Sequence, residues 1–265
     1  MLYGAMNFPV RPVLKEVEAI AKLGFDYLEL AMDPPEAHHS TIMHIREDLR
    51  HALDDCGLKL VCHLPAFLSI ADLTESLREA SVAEMLQSLD VAARLEPLKV
   101  VVHPGYVMGI ALFVKDIARR HAAESLGRIV RKADELGLRL CLENMFPQAN
   151  ALSDPSHFVE VFERFPQLEL TLDTGHARMG GGGDRRTVDF IERFAGRLGH
   201  VHTGDNFGTR DDHLPIGAGT SDFKAVVLAL KRAGYDQTVT LEVFSPDRDY
   251  LRLSREKFAA LYDSL

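Results

Sequence analysis

Three short stretches spaced one repeat apart decide how this chain folds: LKLVCHL (58–64), KVVVHP (99–104) and RLCLEN (139–144). Each is an aliphatic run too short for a helix and rich enough in Val, Leu and Cys to be a buried strand. Each also closes on an ionisable residue, His63, His103 and Glu143, at successive intervals of 40 residues. Working outward, similar runs occur at LYGAMNF (2–8) and YLELAM (27–32), then at ELTLDT (169–174), HVHTG (200–204) and VTLEVF (239–244). Between them lie patterns such as VLKEVEAIAKLG, SLREASVAEMLQSLDVAARL, ESLGRIVRKADELG and FKAVVLALKRAGY, whose apolar residues recur every three or four positions, as a half-buried helix requires. Gly24, Gly57, Gly137 and Gly234 stand where such helices need a left-handed residue to end. Eight strands with helical crossovers and no linker-like break predict one α/β domain over residues 1–265, a single (β/α)8 TIM barrel. A doubly wound open sheet ranks second, because no GxGxxG turn follows the first strand; GGGG at 180–183 follows the sixth and reads as a flexible loop.

Composition narrows the function classes. The 265 residues carry 30 Lys and Arg against 39 Asp and Glu, a formal charge of −9, which argues against nucleic acid or an anionic membrane surface as partner. Three cysteines, Cys56, Cys62 and Cys141, form no CxxC and suit a reducing, cytoplasmic setting. The start, MLYGAMNFPVRP, does not read as a signal peptide, and the most apolar stretch, Val100 to Val114, is interrupted by HPG and is too short to span a bilayer.

In a barrel of this type the site forms at the carboxyl ends of the strands. Those ends carry Glu29, His63, His103, Glu143, Asp173, His202 and Glu242. Carboxylates gathered at one mouth repel unless a cation neutralises them, and histidine is the usual neutral partner there, so a divalent metal (Mn, Zn, Co or Mg) is expected. Two further spacings add candidates: LDTGH sets His176 three residues after Asp173, and DDHLPIGAG sets Asp211 and His213 two apart in an extended segment, pointing the same way. His200 and His202 share that parity, and spacing alone does not choose between them. Asp205 and Asp212 read as structural or solvent-facing. His38, His39, His44, His51, His121 and His157 read as surface residues, and Arg185 and Arg186 as part of a solvated loop, with a mobile lid whose arginines meet a substrate phosphate as the second reading.

Taken in order, VVHPG, CLEN, LDTGHA, HVHTGDN, DDHLPIGAG and LEVF resemble the xylose isomerase-like barrel superfamily, which holds sugar and sugar-phosphate isomerases and epimerases as well as endonuclease IV-type abasic-site nucleases. The resemblance to the epimerase branch implies one cation held by Glu143, Asp173, His202 and Glu242, which favours His202 over His200. Resemblance to the nuclease branch implies three zinc ions, with His176, Asp211 and His213 holding one of them. Another zinc would need His103, Glu143 and a further histidine after the third strand. The segment following His63, LPAFLSIADLTESLREASV, contains no histidine, so the zinc-dependent phosphoesterase is the second reading.

The first reading is a metal-dependent sugar or sugar-phosphate isomerase or epimerase. In it the metal polarises a carbonyl and the adjacent hydroxyl, and an enediolate forms as one carboxylate, Glu143 or Glu242, removes a carbon-bound proton and the other returns one. His63, His103, His176 and Glu29 are then expected to bind the substrate. A non-catalytic sugar-binding barrel would not need both glutamates. Homo-oligomers are common for such barrels, though no interface is legible.

Overall fold

A computed structural model describes residues 1–265. Eight parallel strands close into a barrel in sequence order: β1 (Leu2–Met6), β2 (Tyr27–Ala31), β3 (Lys59–His63), β4 (Val100–Val102), β5 (Leu140–Glu143), β6 (Glu169–Asp173), β7 (Leu198–Thr203) and β8 (Thr238–Leu241). All eight predicted strands are present, with ends displaced by at most three residues. The helices around them are α1 (Val13–Lys22), α2 (His39–His44), α3 (Arg46–Cys56), α4 (Glu75–Ala93), α5 (Lys115–Glu135), α6 (Pro155–Arg164), α7 (Thr174–Arg178), α8 (Gly183–Phe194), α9 (Phe223–Arg232) and α10 (Asp249–Ser264). The open-sheet alternative is excluded by the pairing of β1 with β8.

Alternation along each strand separates two environments. Leu28, Leu30, Leu60, Val100, Val102, Leu140, Leu142, Leu170 and Leu172 turn outward and join the main core beneath the helices. A Phe158–Phe162–Phe190–Phe194 cluster, with ring centroids 5.2–6.4 Å apart, locks α6 to α8 within that core. Phe158→Ala is therefore expected to cost about 3–5 kcal/mol of stability, read as a lowered urea midpoint at unchanged slope.

Residues of the other parity turn into the barrel, and most of them are polar. Tyr27 fills the lower interior, its ring lying against Gly4 so closely that a Cβ there would fall 2.1 Å from a ring carbon, which explains a glycine inside a strand. Tyr27 OH lies 2.7 Å from Thr240 Oγ1. Above it comes a layer with Glu29, Thr171, His200 and Thr240, all fully buried, and above that the carboxyl ends of the strands.

Two local features differ from expectation. The stretch after β6 is the short helix α7, which Asp173 caps by accepting from His176 N–H at 2.7 Å, and the glycine run then starts α8 at Gly183. Arg186 donates to the Ala177 and Met179 carbonyls, tying α8 to α7, and Arg185 pairs with Asp189 at 2.9 Å along the exposed face of α8.

Candidate metal centre

The upper interior layer brings together His63, His103, Glu143, Asp173, His202 and Glu242, joined by His176 from α7 and by Asp211 and His213 from the loop after β7. Asn144 holds the adjoining strand ends in register: its side chain accepts from Asp173 N–H at 2.8 Å and donates to Asp173 O at 3.0 Å. Sequence reasoning gives Asn144 no role; its place directly after Glu143 is the one signal available.

The histidines share one logic. His63 Nδ1 lies 2.7 Å from the Leu64 carbonyl, His103 Nδ1 3.2 Å from the Ala66 carbonyl, and His176 Nδ1 2.9 Å from the Asn144 carbonyl. A carbonyl only accepts, so each of these nitrogens donates and leaves its Nε2 as a bare lone pair. Those lone pairs point at carboxylates: His63 and His103 Nε2 lie 3.4 and 3.2 Å from Glu143 Oε2, and His176 Nε2 lies 3.1 Å from Asp211 Oδ2. His202 does the same from its other nitrogen. Its Nε2 donates to Glu29 Oε1 at 2.9 Å, while its buried Nδ1 has no hydrogen-bond partner although Glu242 Oε1 and Glu143 Oε2 stand 3.0 and 3.4 Å away.

Acceptors facing acceptors in a buried site need a cation between them, either a proton or a metal ion. The outward N–H bonds to carbonyls and to Glu29 are the supports that fix a ligating histidine. The donor set therefore fits a divalent metal. Glu143, Asp173 and His202 lie close enough to share one ion, with Glu242 beside them, and His63, His103 and Glu143 form a second close group. His176 and His213 meet through Asp211, whose Oδ2 is 3.1 and 2.9 Å from their Nε2 atoms.

Charge crowding marks the same place. Burial pushes the Asp173 carboxyl up to about 7, with Glu242, Asp211 and Glu143 adding to that against the pull of His176. Burial opposes ionisation of Glu143 as well, but His103 and His202 hold it well below the usual carboxylate range. His213 is raised to about 9, since Asp211 and Glu242 outweigh its burial.

Several expectations are corrected. Glu29 does not reach the mouth or face a substrate: Ala31, not Glu29, pairs with His63, so Glu29 sits one layer lower, fully buried, bonded to His202, to His200 Nε2 at 3.0 Å and to Thr240. Its part is to fix the His202 ring, and Glu29→Gln is expected to weaken divalent-metal affinity by about 10- to 100-fold, read by equilibrium dialysis. His200 lies in that lower layer with both nitrogens engaged, and burial holds it neutral, its pKa pushed down to about 4. The histidine expected to be lacking beside His103 and Glu143 is His63 itself, which the end of β3 delivers to Glu143. The residue lies within the strand that it closes, not in the segment downstream of it.

Asp205 has the structural role expected of it, accepting from the backbone N–H groups of Asn206, Gly217, Gly219 and Ser221 and thereby shaping the loop that carries His213. His38 and His39 converge on Glu84 Oε2 at 3.0 and 2.9 Å on the surface, where ordinary hydrogen bonds account for them.

A cavity of about 540 Å3 opens onto the cluster, reaching His63, His103, Glu143, His176, Asp211, His213 and Glu242. Phe67, Tyr106 and Phe146 wall one side, with Phe8 and Phe244 in edge contact at 5.5 Å on the other. Tyr106 and Asp33 are cavity residues that sequence reasoning misses, since neither lies at a strand end.

Comparison with known proteins agrees with this architecture. The uncharacterized protein MJ1311 of Methanocaldococcus jannaschii is 29% identical across 98% of this chain and 92% of its own. A probable endonuclease 4 of Mycobacterium leprae is 26% identical over 80% of this chain and 82% of its own, and a D-psicose 3-epimerase of Agrobacterium fabrum 26% over 86% and 78%. Among solved structures, a D-tagatose 3-epimerase-like protein superposes with a TM-score of 0.86 at 26% identity, covering 100% of this chain and 99% of that one. The TTHB071 protein from Thermus thermophilus, soaked with ZnCl2, gives 0.78 at 25%, covering 100% and 99%. The family model of the xylose isomerase-like TIM barrel matches residues 17–263, and this chain belongs to that family.

Proposed function

We propose that the protein is a metal-dependent isomerase or epimerase that moves a proton between carbon atoms of a sugar. The observation that carries this reading is the convergence of Glu143 and Glu242, from strands three places apart on the ring, on His202 Nδ1 at the floor of the cavity. Glu143, Asp173, His202 and Glu242 would hold the ion, and a divalent cation there supplies Lewis acidity toward a carbonyl and its neighbouring hydroxyl. Glu242 removes the proton from the carbon next to the carbonyl and passes it to solvent, and Glu143, once it has taken a proton from water in the cavity, delivers that proton from the other side; return to the same carbon inverts it, and return to the neighbour isomerises the sugar. His176 and His213 orient hydroxyls, and the aromatic walls exclude bulk water. Similarity to the epimerases at 26% identity supports the reading.

The test is solvent deuterium incorporation into a panel of ketoses and aldoses by protein loaded in turn with Mn, Co, Mg and Zn. Incorporation at one carbon is expected, and its absence with every metal would remove the proposal. A second reading, a zinc-dependent phosphoesterase, is favoured by one specific observation: His63 completes the group with His103 and Glu143, beside the set joined by Asp211. Three tightly held zincs per chain together with cleavage of abasic-site DNA would establish it. One exchangeable ion without cleavage would dismiss it.

A further inference from the structure

Away from the cavity, two neighbouring histidines meet one carboxylate oxygen of α4. His38, the residue before α2, and His39, its first residue, bring their Nε2 atoms to 3.0 and 2.9 Å from Glu84 Oε2, and the three atoms lie within 4.8 Å of one another. Glu84 pairs with these imidazoles and with no lysine or arginine. Both rings approach the same oxygen, while Oε1 accepts nothing within the protein.

Hydrogen bonds satisfy the trio when each Nε2 carries its proton, but the same three atoms also surround a single point, as metal ligands do. In a tetrahedral zinc site with bonds of about 2.0–2.1 Å, neighbouring ligand atoms stand about 3.3–3.4 Å apart. Each nitrogen–oxygen gap here would widen by only a few tenths of an ångström. The rings allow the change. Moving the ring proton from Nε2 to Nδ1 leaves Nε2 as a lone pair, and Ser40 Oγ, 2.7 Å from His38 Nδ1, then accepts that proton in a hydrogen bond. A hydroxyl serves either tautomer, since it donates to a bare nitrogen and accepts from a protonated one. The bond given up, from Ser40 N–H to His38 Nδ1, is long at 3.4 Å. His39 Nδ1 makes no hydrogen bond within the protein, so it is free to carry its proton.

The geometry points to a divalent metal site formed by His38, His39 and Glu84, separate from the central cluster, that takes zinc or a similar imidazole-seeking ion and leaves a coordination position to water. Two imidazoles and one carboxylate suit zinc, nickel or copper(II) better than magnesium or calcium, which take oxygen ligands. A dication is also favoured by a chain of formal charge −9. Bound there, the ion joins α2 to α4 across 45 residues of chain that include β3, the strand ending in His63. The site stands whether or not the isomerase reading does.

Crystals soaked in zinc are expected to show an anomalous peak about 2.0–2.2 Å from Glu84 Oε2, and its absence would overturn the site. In solution, the full chain dialysed against buffered zinc is expected to hold one zinc per chain more than Glu84→Gln or His39→Asn dialysed beside it. Both side chains are partly exposed, and circular dichroism without metal checks that each variant folds. At free zinc 100 times the dissociation constant, the metal is expected to raise the thermal midpoint of the wild type by about 5–10 °C more than that of either variant. Equal zinc content in all three proteins would overturn the proposal, as would a zinc lost from Glu84→Gln but retained by His39→Asn.

Discussion

Substituting Glu242 with glutamine is expected to lower kcat/KM for solvent proton exchange by about 1000-fold, the middle of the range for a lost general acid–base group. The side chain has two tasks, which the substitution separates in part. Its Oε1 stands 3.0 Å from the bare Nδ1 of His202, and its Oε2 lies 3.4 Å from His213 Nδ1. Glutamine preserves the shape and one carbonyl oxygen but cannot accept a proton from carbon. Metal content measured on the same preparation distinguishes a lost base from a lost ligand: a variant that keeps its ion and loses exchange identifies Glu242 as the base. Unchanged turnover would remove that role.

Removing the metal should also lower stability. Glu143, Asp173 and Glu242 are buried around one histidine, and no lysine or arginine lines the cavity above them, so without a metal ion their repulsion is relieved only by taking up protons. A ligand present at 100 times its dissociation constant stabilises the native state by about 2.7 kcal/mol, which for a chain of this size corresponds to a fall of about 5–10 °C in thermal midpoint on chelation. Differential scanning calorimetry before and after chelation, then after re-addition of each metal, measures it. Identical midpoints would show that the cluster is built to hold protons instead.

Much of this is legible in the sequence because the barrel repeats its grammar. A run such as KVVVHP states a strand, its burial and the residue it delivers to the mouth in six letters, and His63, His103, Glu143, Asp173, His202 and Glu242 all come together as their strand ends suggest. Depth is less legible. Glu29 has the parity of an inward residue, but parity does not say which layer it occupies; that follows from the pairing of Ala31 with His63. Groups held by loops are hidden for a different reason. Asp33 and Tyr106 reach the cavity through turns whose course no periodicity encodes, and the helix after β6 begins at once because Asp173 caps it. The histidine beside Glu143 and His103 escapes a reading that looks only beyond the strand, because His63 is the last residue of β3 itself.

The buried Glu29–His200–Thr240–Tyr27 column has a consequence for how such an enzyme could change. It fixes the imidazole of His202 from below through groups that lie within the strands, while Phe67, Tyr106, Asp33 and Phe244 line the cavity from loops above. Foundation and aperture are thus separate parts. On the proposed function, loop exchange would redirect the catalyst to a different sugar without rebuilding its anchorage, whereas a change in the column would disturb the anchorage itself.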